Sequence, residues 1–349
     1  MNLFLKSRFR QASKRVLFFV IYYFGIANLF IILQKRLKKR HYAAILFYHR
    51  FYSGQFEKCE LPHLNIQEFK KQMRHIKKWY SIITMDDLID RLAIGKEFST
   101  PSIVLTIDDG YLNNYREAYP ILKEFNLPAM IYLSTGFIGT ENSTWVDDLM
   151  DMIRISKKKT ISLPELFNGE ALDISTHGKK MEVFEKVFNK MLYVKHEKKI
   201  ALMEKLQKIL CIVENLRDGA DKRMLNWNEV IEMNQNNIHF GAHTISHPTL
   251  SKMELLEAKR EIHESKVEIE NKLGCKVNHF AIPNGKEGDF SEELKRYCKE
   301  IGFRTVVTTE PGVVSVQSDP YFLKRINPPP PIHIFACELA RNMFFYRTK

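Results

Sequence analysis

The chain has 349 residues, 45% of them hydrophobic, which is enough for one large barrel-like domain or two small ones and argues against global disorder. Ten of its lysines and arginines and none of its acids lie in residues 1–41, and the other 43 basic residues are balanced by 41 acidic ones. This distribution argues against a nucleic-acid-binding face, which would need a basic patch on the domain itself. The five cysteines are widely spaced and form no CxxC, which argues against a disulfide framework and a cysteine metal site.

The N-terminal segment predicts a hydrophobic helix. Val16–Leu33 is a run of 18 residues without a charge, about 27 Å long as a helix and marginal for crossing a bilayer. More Lys and Arg follow it and no small-residue cleavage site appears, so a signal peptide fits poorly. We expect residues 1–41 to associate with a membrane, the bacterial inner membrane, as a spanning anchor or as a helix in the interface. The alternative is a helix packed on a soluble domain, and equal numbers of cations on both sides leave the orientation open.

From residue 42 onwards, apolar strand-like runs alternate with amphipathic helices. This alternation predicts a parallel sheet covered by helices, and about seven units favour a closed or partly open α/β barrel over a flat sheet. The predicted strands are 43–48, 81–84, 102–107, 129–134, 238–242, 278–282, 304–308 and 321–326. The predicted helices are 66–79, 85–92, 113–125, 253–273 and 290–301.

One stretch interrupts this alternation. Residues 150–226 are rich in Lys and Glu and predict an insertion of two or three helices without strands, for example at 181–193 and 196–215. The insertion could be a lid or a partner surface, and it could equally be a solvated decoration of the barrel. The predicted domain organisation is therefore a membrane-associated helix in 1–41 followed by a barrel in 42–349 that carries this insertion.

Two polar motifs directly follow predicted strands. Asp108 and Asp109 come after the strand 102–107, and His243 and His247 come after the strand 238–242. The carboxyl ends of barrel strands carry the chemistry in α/β barrels. One carboxylate can bind a metal while its neighbour acts as a base, and one Asp with two His is a typical ligand set for a catalytic divalent metal, most typically Zn²⁺.

Two further polar residues follow strands in the same way. His49 comes after the strand 43–48, and Asn284 lies in a Pro-Asn-Gly loop after the strand 278–282, where backbone N–H groups could face a developing oxyanion. Each motif alone is common by chance. Four such motifs at one end of a barrel are much harder to explain by chance.

These motifs resemble those of the polysaccharide deacetylase family, the NodB-homology carbohydrate esterases. The resemblance runs from about residue 45 to about residue 326, outside the insertion, and is most specific in the stretches 106–139, 241–251 and 280–285. Trp145 and Asp147 resemble the WWD-type segment of the family. The resemblance implies a distorted (β/α)7 barrel.

The resemblance also implies a role for each site residue. Asp108 would be the catalytic base, and the metal ligands would be Asp109, His243 and His247. The late L-x-H motif of the common arrangement is not found, and ILFYHR resembles the circularly permuted subgroup whose acid histidine lies in an N-terminal Y-H motif. His49 would then be the general acid, and the backbone N–H of Asn284 would bind the oxyanion.

The sequence departs from the family in its third motif. Ala281 stands where the family has the arginine that orients the base, and Asn284 stands where it has tyrosine. Lys324 or Arg325 could replace the arginine, and the sequence does not decide between them.

The function implied is a metal-dependent hydrolase that removes N-acetyl groups from an amino sugar of a polysaccharide or glycolipid. Two alternatives stay open. One is a deformylase or other amidase acting on a lipid-linked sugar, and the other is a catalytically silent glycan-binding barrel.

Overall fold

The structure is a computed structural model, and it describes residues 15–37, 41–54, 64–212 and 224–345. The first residues of the basic segment, and the cations at 38–40, lie outside the described part. The elements below are numbered in chain order.

The N-terminal segment forms two helices, so the prediction of one continuous helix over 16–33 is wrong. Helix α1 covers Arg15–Tyr23, and helix α2 covers Ile26–Leu37, at an angle of 69° between their apolar stretches. Gly25 lies between them with φ of +75°, a left-handed conformation that ends a helix and that glycine adopts at little cost. Among the described helices none is by itself long and apolar enough to cross a membrane, and only this bent pair could do so by length and composition.

Seven parallel strands form the barrel and confirm the predicted (β/α)7 fold. In spatial order they are β1 (Ala43–Tyr48), β5 (Ser102–Ile107), β6 (Ala129–Leu133), β9 (Ile238–Ala242), β10 (His279–Ala281), β11 (Thr305–Pro311) and β12 (Leu323–Arg325). The ring closes between its first and last strands, because the N–H of Ile326 donates to the Ile45 carbonyl at 2.8 Å and Phe47 donates to the Ile326 carbonyl at 3.1 Å. Strand β4 (Ser81–Ile82) pairs with β5 outside this ring, and β2 (Phe51–Tyr52) pairs with β3 (Leu64–Asn65).

Strands β1, β5 and β6 are buried along their whole length, and their residues are mostly apolar, as expected where both faces of a parallel strand are covered. The surrounding helices are α3 (Ile66–Trp79), α4 (Met85–Ala93), α5 (Tyr119–Glu124), α10 (Trp227–Asn234), α11 (Leu255–Leu273), α12 (Glu292–Glu300) and α13 (Ile332–Phe345). A π-helical turn at Asn114–Ala118 precedes α5 and forms the first part of the helix predicted at 113–125. Helices α10 and α13 were not among the predicted helices. Helix α13 packs against α2 and α3.

The insertion has a small apolar core of its own, built by residues from Leu149 to Leu210. Its helices are α6 (Trp145–Ile155), α7 (Pro164–Phe167), α8 (His177–Met191) and α9 (His196–Ile209). The expectation that it contains no strands is wrong, because β7 (Thr160–Ser162) and β8 (Ala171–Asp173) form an antiparallel pair. Both strands are three residues long and bury only their central residue, Ile161 or Leu172, so the two-residue period is too short to see in the sequence.

Candidate active site

A cleft of about 580 Å³ opens at the carboxyl ends of the barrel strands. All six residues predicted as site residues line it. They are His49, Asp108, Asp109, His243, His247 and Asn284. Parallel strands in a barrel end on the same rim, which explains why motifs separated by more than 200 positions meet there.

The loops that carry these residues have an unusual backbone. Four of the eight non-glycine residues with positive φ in the described chain lie at this rim: Asp109 (76°), Thr244 (67°), His247 (52°) and Asn284 (61°). Such conformations cost of order 1–3 kcal/mol each and persist where the surrounding structure enforces them. After Asp109, a Cβ at Gly110 would lie 2.7 Å from the Leu133 side chain, so this turn requires glycine. The rim geometry is therefore fixed by packing beneath it.

The loop with both histidines is held by Glu261, which is not one of the predicted site residues. Glu261, on α11, accepts hydrogen bonds from the N–H groups of Ile245 (2.8 Å) and Ser246 (2.9 Å) and from the Ser246 hydroxyl (2.7 Å). Thr244 Oγ1 accepts from the His247 N–H at 3.1 Å. These bonds aim both imidazoles at one point without a helical turn. Glu261 lies in an amphipathic helix, where its sequence context gave no sign of this role.

Asp109, His243 and His247 form the candidate metal centre. Their ligand atoms lie within 4.8 Å of one another, and Asp109 Oδ1 is 3.4 Å from the Nε2 atom of each histidine. His243 Nδ1 lies 2.7 Å from the Ala281 carbonyl oxygen. A carbonyl accepts only, so Nδ1 carries a proton, and Nε2 is the nitrogen of His243 that faces Asp109.

One buried carboxylate oxygen of this site has no hydrogen-bond partner in the described part of the chain, and this indicates whether the site suits a cation. Asp109 Oδ1 is buried and has no hydrogen-bond partner among the described residues, although two ring nitrogens face it. Burial lowers the pKa of His247 to about 4, which keeps this imidazole neutral. Burial would raise the pKa of Asp109, but the neighbouring histidines outweigh it and lower that pKa well below its usual value. One carboxylate and two imidazole nitrogens that converge on one buried point form a donor set that a divalent cation fits.

Arg325 pairs with Asp108. Its Nη1 and Nη2 atoms donate to Oδ1 at 2.8 Å and Oδ2 at 2.7 Å, and the arginine is fully buried. Its Nε donates to the Thr308 carbonyl, and its guanidinium lies 4.5 Å from the centre of the Phe47 ring. Burial would raise the pKa of Asp108, but Arg325 outweighs it and holds that pKa below its usual value. Of the two replacements that the sequence left open for the missing arginine, the structure brings Arg325 to the base, and the side chain of Lys324 is exposed.

His49 lies at the mouth of the cleft. Its Nε2 is 3.8 Å from Asp108 Oδ2, and 45% of its side chain is exposed. Asn114, in the π-helical turn, donates to the His49 carbonyl at 2.8 Å and fixes the backbone of this residue. The imidazole can therefore reach both the base and a molecule entering from solvent.

Asn284 also lines the cleft. Its side chain donates to Thr249 Oγ1 at 3.1 Å, and its carbonyl accepts from the Thr309 hydroxyl. Within the described chain, its backbone N–H makes no hydrogen bond. An unpaired N–H in a held, left-handed turn is a donor available to a ligand.

The other walls of the cleft come from two regions. Pro328, Pro329 and Pro330 line one side, and the Gln72 side chain, itself bonded by the Tyr48 hydroxyl, donates to the carbonyls of Pro329 and Pro330. The insertion lines the other side with Val146 and Phe188. At the base of that wall Arg50 pairs with Asp147, which also accepts from the Tyr111 hydroxyl at 3.1 Å. The insertion is thus attached directly to the catalytic rim.

Comparisons with known proteins agree with this geometry. The polysaccharide deacetylase family model matches residues 95–306. The Bacillus subtilis protein YxkH is 21% identical over 291 residues, which are 82% of this chain and 71% of that protein. The poly-beta-1,6-N-acetyl-D-glucosamine N-deacetylase of Staphylococcus aureus is 28% identical over 156 residues, 41% of this chain and half the length of that enzyme.

Solved structures show the same fold. The Streptococcus pyogenes deacetylase PplD in complex with acetate superposes with a TM-score of 0.58 at 18% identity, covering 87% of this chain and 99% of its own. IcaB from Ammonifex degensii superposes with a TM-score of 0.56 at 16% identity, covering 86% of this chain and 97% of its own.

Proposed function

Because the chain belongs to the polysaccharide deacetylase family, whose members are metal-dependent hydrolases, we propose that its cleft binds an N-acetylated amino sugar of a polysaccharide or glycolipid and releases acetate. The chain is an enzyme that hydrolyses the amide of N-acetyl sugars. One observation supports the roles proposed for its residues. Asp109, His243 and His247 lie in the same cleft as Asp108, which is paired with Arg325.

Asp109, His243 and His247 would hold the divalent metal, which we propose is Zn²⁺ because one carboxylate and two imidazoles leave positions open for water and substrate. Bound there, the ion would supply Lewis acidity to the amide carbonyl and to the attacking water. The His243–Ala281 hydrogen bond presents Nε2 to the site, and Glu261 keeps the second histidine in place through its loop.

Asp108 is the proposed general base. Arg325 binds both of its oxygens and keeps it ionised, so Asp108 can accept the proton of the attacking water. The same pairing fixes the plane of the carboxylate. Arg325 would thereby orient the base, which is the role of the family's arginine at the position of Ala281.

His49 is the proposed general acid. An amine leaves poorly unless it is protonated, and a histidine that binds the metal cannot supply that proton. His49 stands at the cleft mouth with its Nε2 3.8 Å from Asp108 Oδ2 and 45% of its side chain exposed, so its imidazole can reach a leaving group bound in the cleft. The backbone N–H of Asn284 would donate to the developing oxyanion in the cleft. The Y-H position of His49 is the feature that suggests the circularly permuted subgroup.

The experiment that tests this function is product analysis with purified, Zn²⁺-loaded enzyme and an N-acetylglucosamine oligomer. Deacetylation releases acetate and lowers the mass of the oligomer by one acetyl group for each modified sugar. Release of formate from an N-formyl substrate without acetate from the N-acetyl one would instead favour the deformylase alternative. Oligomer binding without any product would favour a silent glycan-binding barrel.

We also propose that residues 1–41 hold the enzyme at a membrane. The support is the set of ten uncompensated cations around an apolar segment. Full-length protein should sediment with membranes, whereas protein beginning near Arg40 should stay in the supernatant and keep its activity on a soluble oligomer. Full-length protein found wholly in the supernatant at moderate salt would contradict this proposal.

A further inference from the structure

Helix α2 is apolar on two sides. Ala27 and Ile31, four residues apart, are buried on the side where α2 packs against α13. A second side of α2 exposes large apolar residues at the spacing i, i+3, i+4 and i+7, which are Ile26, Leu29, Phe30 and Leu33. Of these, Phe30 lies at the edge of the exposed side, where its ring also contacts those of Phe344 and Phe345 in α13. A helix that is hydrophobic all round is expected to be covered on both sides.

Helix α1 and the turn after it continue this exposed surface. Val16, Phe19, Val20 and Tyr23 have the same spacing and are exposed, together with Leu17 and Phe24. Ten of the eighteen exposed large hydrophobic residues in the described chain thus lie in residues 16–33. We call these ten residues the α1–α2 face. Exposed large apolar side chains concentrated in one short segment indicate an interaction site.

The charges around the face indicate what binds it. Arg15 is the first residue of α1, and Lys35 and Arg36 lie in the last turn of α2. Residues 1–41 contain no acidic residue. A second copy of the chain would bring two such cationic segments together and be repelled. Apolar residues at the headgroup boundary with cations beside them match an anionic lipid surface. The bend at Gly25 suits two short helices lying in the plane of that surface rather than one helix crossing it.

Helix α13 connects the α1–α2 face to the cleft. The prolines at 328–330 line the cleft, and α13 begins two residues later. In its first turn the ring of His333 lies 5.6 Å from the ring of Phe19, and one turn further the Cys337 thiol approaches the Phe18 carbonyl at 3.6 Å. Helix α1 therefore contacts α13 at His333, three positions after Pro330 in the wall of the cleft.

We propose that the α1–α2 face lies in the surface of an anionic bilayer and that the cleft beside it deacetylates amino sugars anchored in that bilayer, in preference to glycan free in solution. This inference rests on the proposed deacetylase function. It goes further in naming a membrane-anchored substrate and in-plane helices.

The test compares one N-acetylated oligosaccharide in two forms, free in solution and linked to phosphatidylethanolamine in vesicles of phosphatidylcholine and phosphatidylglycerol. Zn²⁺-loaded full-length enzyme should release acetate from the anchored form at least about tenfold faster at equal sugar concentration, because surface binding raises the effective concentration. Phe24→Glu combined with Leu29→Glu should abolish this advantage and vesicle binding but keep the rate on the free sugar. Leu256→Glu is the matched control, since Leu256 on α11 is 80% exposed, as is Phe24, and lies outside the face.

Each outcome decides a different point. Equal rates on the two forms, or an advantage that survives the double substitution, would overturn the inference while leaving the deacetylase assignment intact. A dimer that forms without lipid and that the double substitution dissociates would show that the α1–α2 face is buried by self-association, and this would overturn the inference as well. Failure to release acetate from either form would instead contradict the proposed function.

Discussion

Arg325 and Asp108 form a two-pronged ion pair inside the barrel, with each nitrogen of the guanidinium fork donating to one carboxylate oxygen. The two residues are 217 positions apart and end two strands on either side of β1. We propose that Arg325 takes the place of the arginine that the family carries at the position of Ala281. In that role it would keep Asp108, the proposed base, ionised and in a fixed plane.

Replacing Arg325 with methionine should lower kcat/KM by at least about two orders of magnitude, because the base loses both its orientation and its ion pair. It should also reduce stability by about 3–5 kcal/mol, since the carboxylate of Asp108 stays buried without a partner. Lys324→Met is the matched control and should leave the rate and stability near normal. Near-normal kcat/KM for Arg325→Met would show that Asp108 needs no arginine.

Replacing His243 with alanine should abolish metal binding and activity while the barrel stays folded, because the residue lies on the rim rather than in the core of the fold. Metal content by mass spectrometry and the far-ultraviolet circular dichroism spectrum measure the two effects separately. Wild-type protein purified without chelator should carry one divalent ion per chain. Wild-type protein without stoichiometric metal that Zn²⁺, Co²⁺ and Ni²⁺ all fail to activate would contradict the assignment of this site.

Replacing Glu261 with alanine should weaken metal affinity by about 10- to 100-fold, the usual effect of losing a group that orients a ligand. Glu261 touches no metal ligand side chain but fixes the loop between His243 and His247 through two N–H groups and a hydroxyl. Competition with a chelating dye gives the affinity directly, and excess Zn²⁺ should restore most of the activity. Replacing Glu264, an exposed glutamate of the same helix that pairs with Arg260, is the control and should change neither quantity.

Replacing His49 with alanine should keep full metal occupancy and lower kcat by about two to four orders of magnitude, the usual range for positioned proton transfer. The decline of the rate at high pH should also disappear or move, since that decline reports loss of the proton from the general acid. The measurement is the pH–rate profile on an unactivated amide substrate. Turnover close to that of the wild type would make His49 structural and place the acid elsewhere.

His75 should make the fold sensitive to mild acid. It lies on α3 and is buried against α13, and its ring lies 6.0 Å from that of Tyr22 in α1. Burial lowers its pKa from 6.5 to about 4, with a smaller contribution from Lys78. Below pH 6.5 the unfolded chain therefore binds a proton at His75 that the folded chain binds only near pH 4. The contribution of neutral His75 to the free energy of unfolding is fully present above pH 6.5. It is lost as the pH falls towards 4, by about 3 kcal/mol at most.

The measurement is chemical denaturation between pH 7 and pH 4.5. His75→Leu should give a flatter dependence of the unfolding free energy on pH than the wild type. His263→Leu, which replaces an exposed histidine of α11, is the control and should keep the wild-type slope. Identical slopes in the wild type and His75→Leu would contradict the prediction.

The sequence predicted the elements of the barrel well because its strands are buried on both faces and end in polar loops. Strands β5 and β9 begin and end where the apolar runs do, and Asp108 and His243 follow them directly. The prediction of one N-terminal helix was wrong because a single glycine, Gly25, ends the first helix inside a run that carries no charge. The hairpin of β7 and β8 was missed because three-residue strands are too short to show a period.

What the sequence determined by itself was the identity and order of the groups that could bind a metal and move protons, since strand-end motifs carry that information locally. The tertiary structure decided which distant side chains support them. Arg325, Glu261 and Gln72 lie on other elements, and their sequence neighbours do not distinguish them from surface residues of the same type. Barrel closure between β12 and β1 and the packing of α11 and α3 bring these groups to the rim. Such contacts depend on the register and tilt of whole elements, which arise from packing of the complete core rather than from any local pattern.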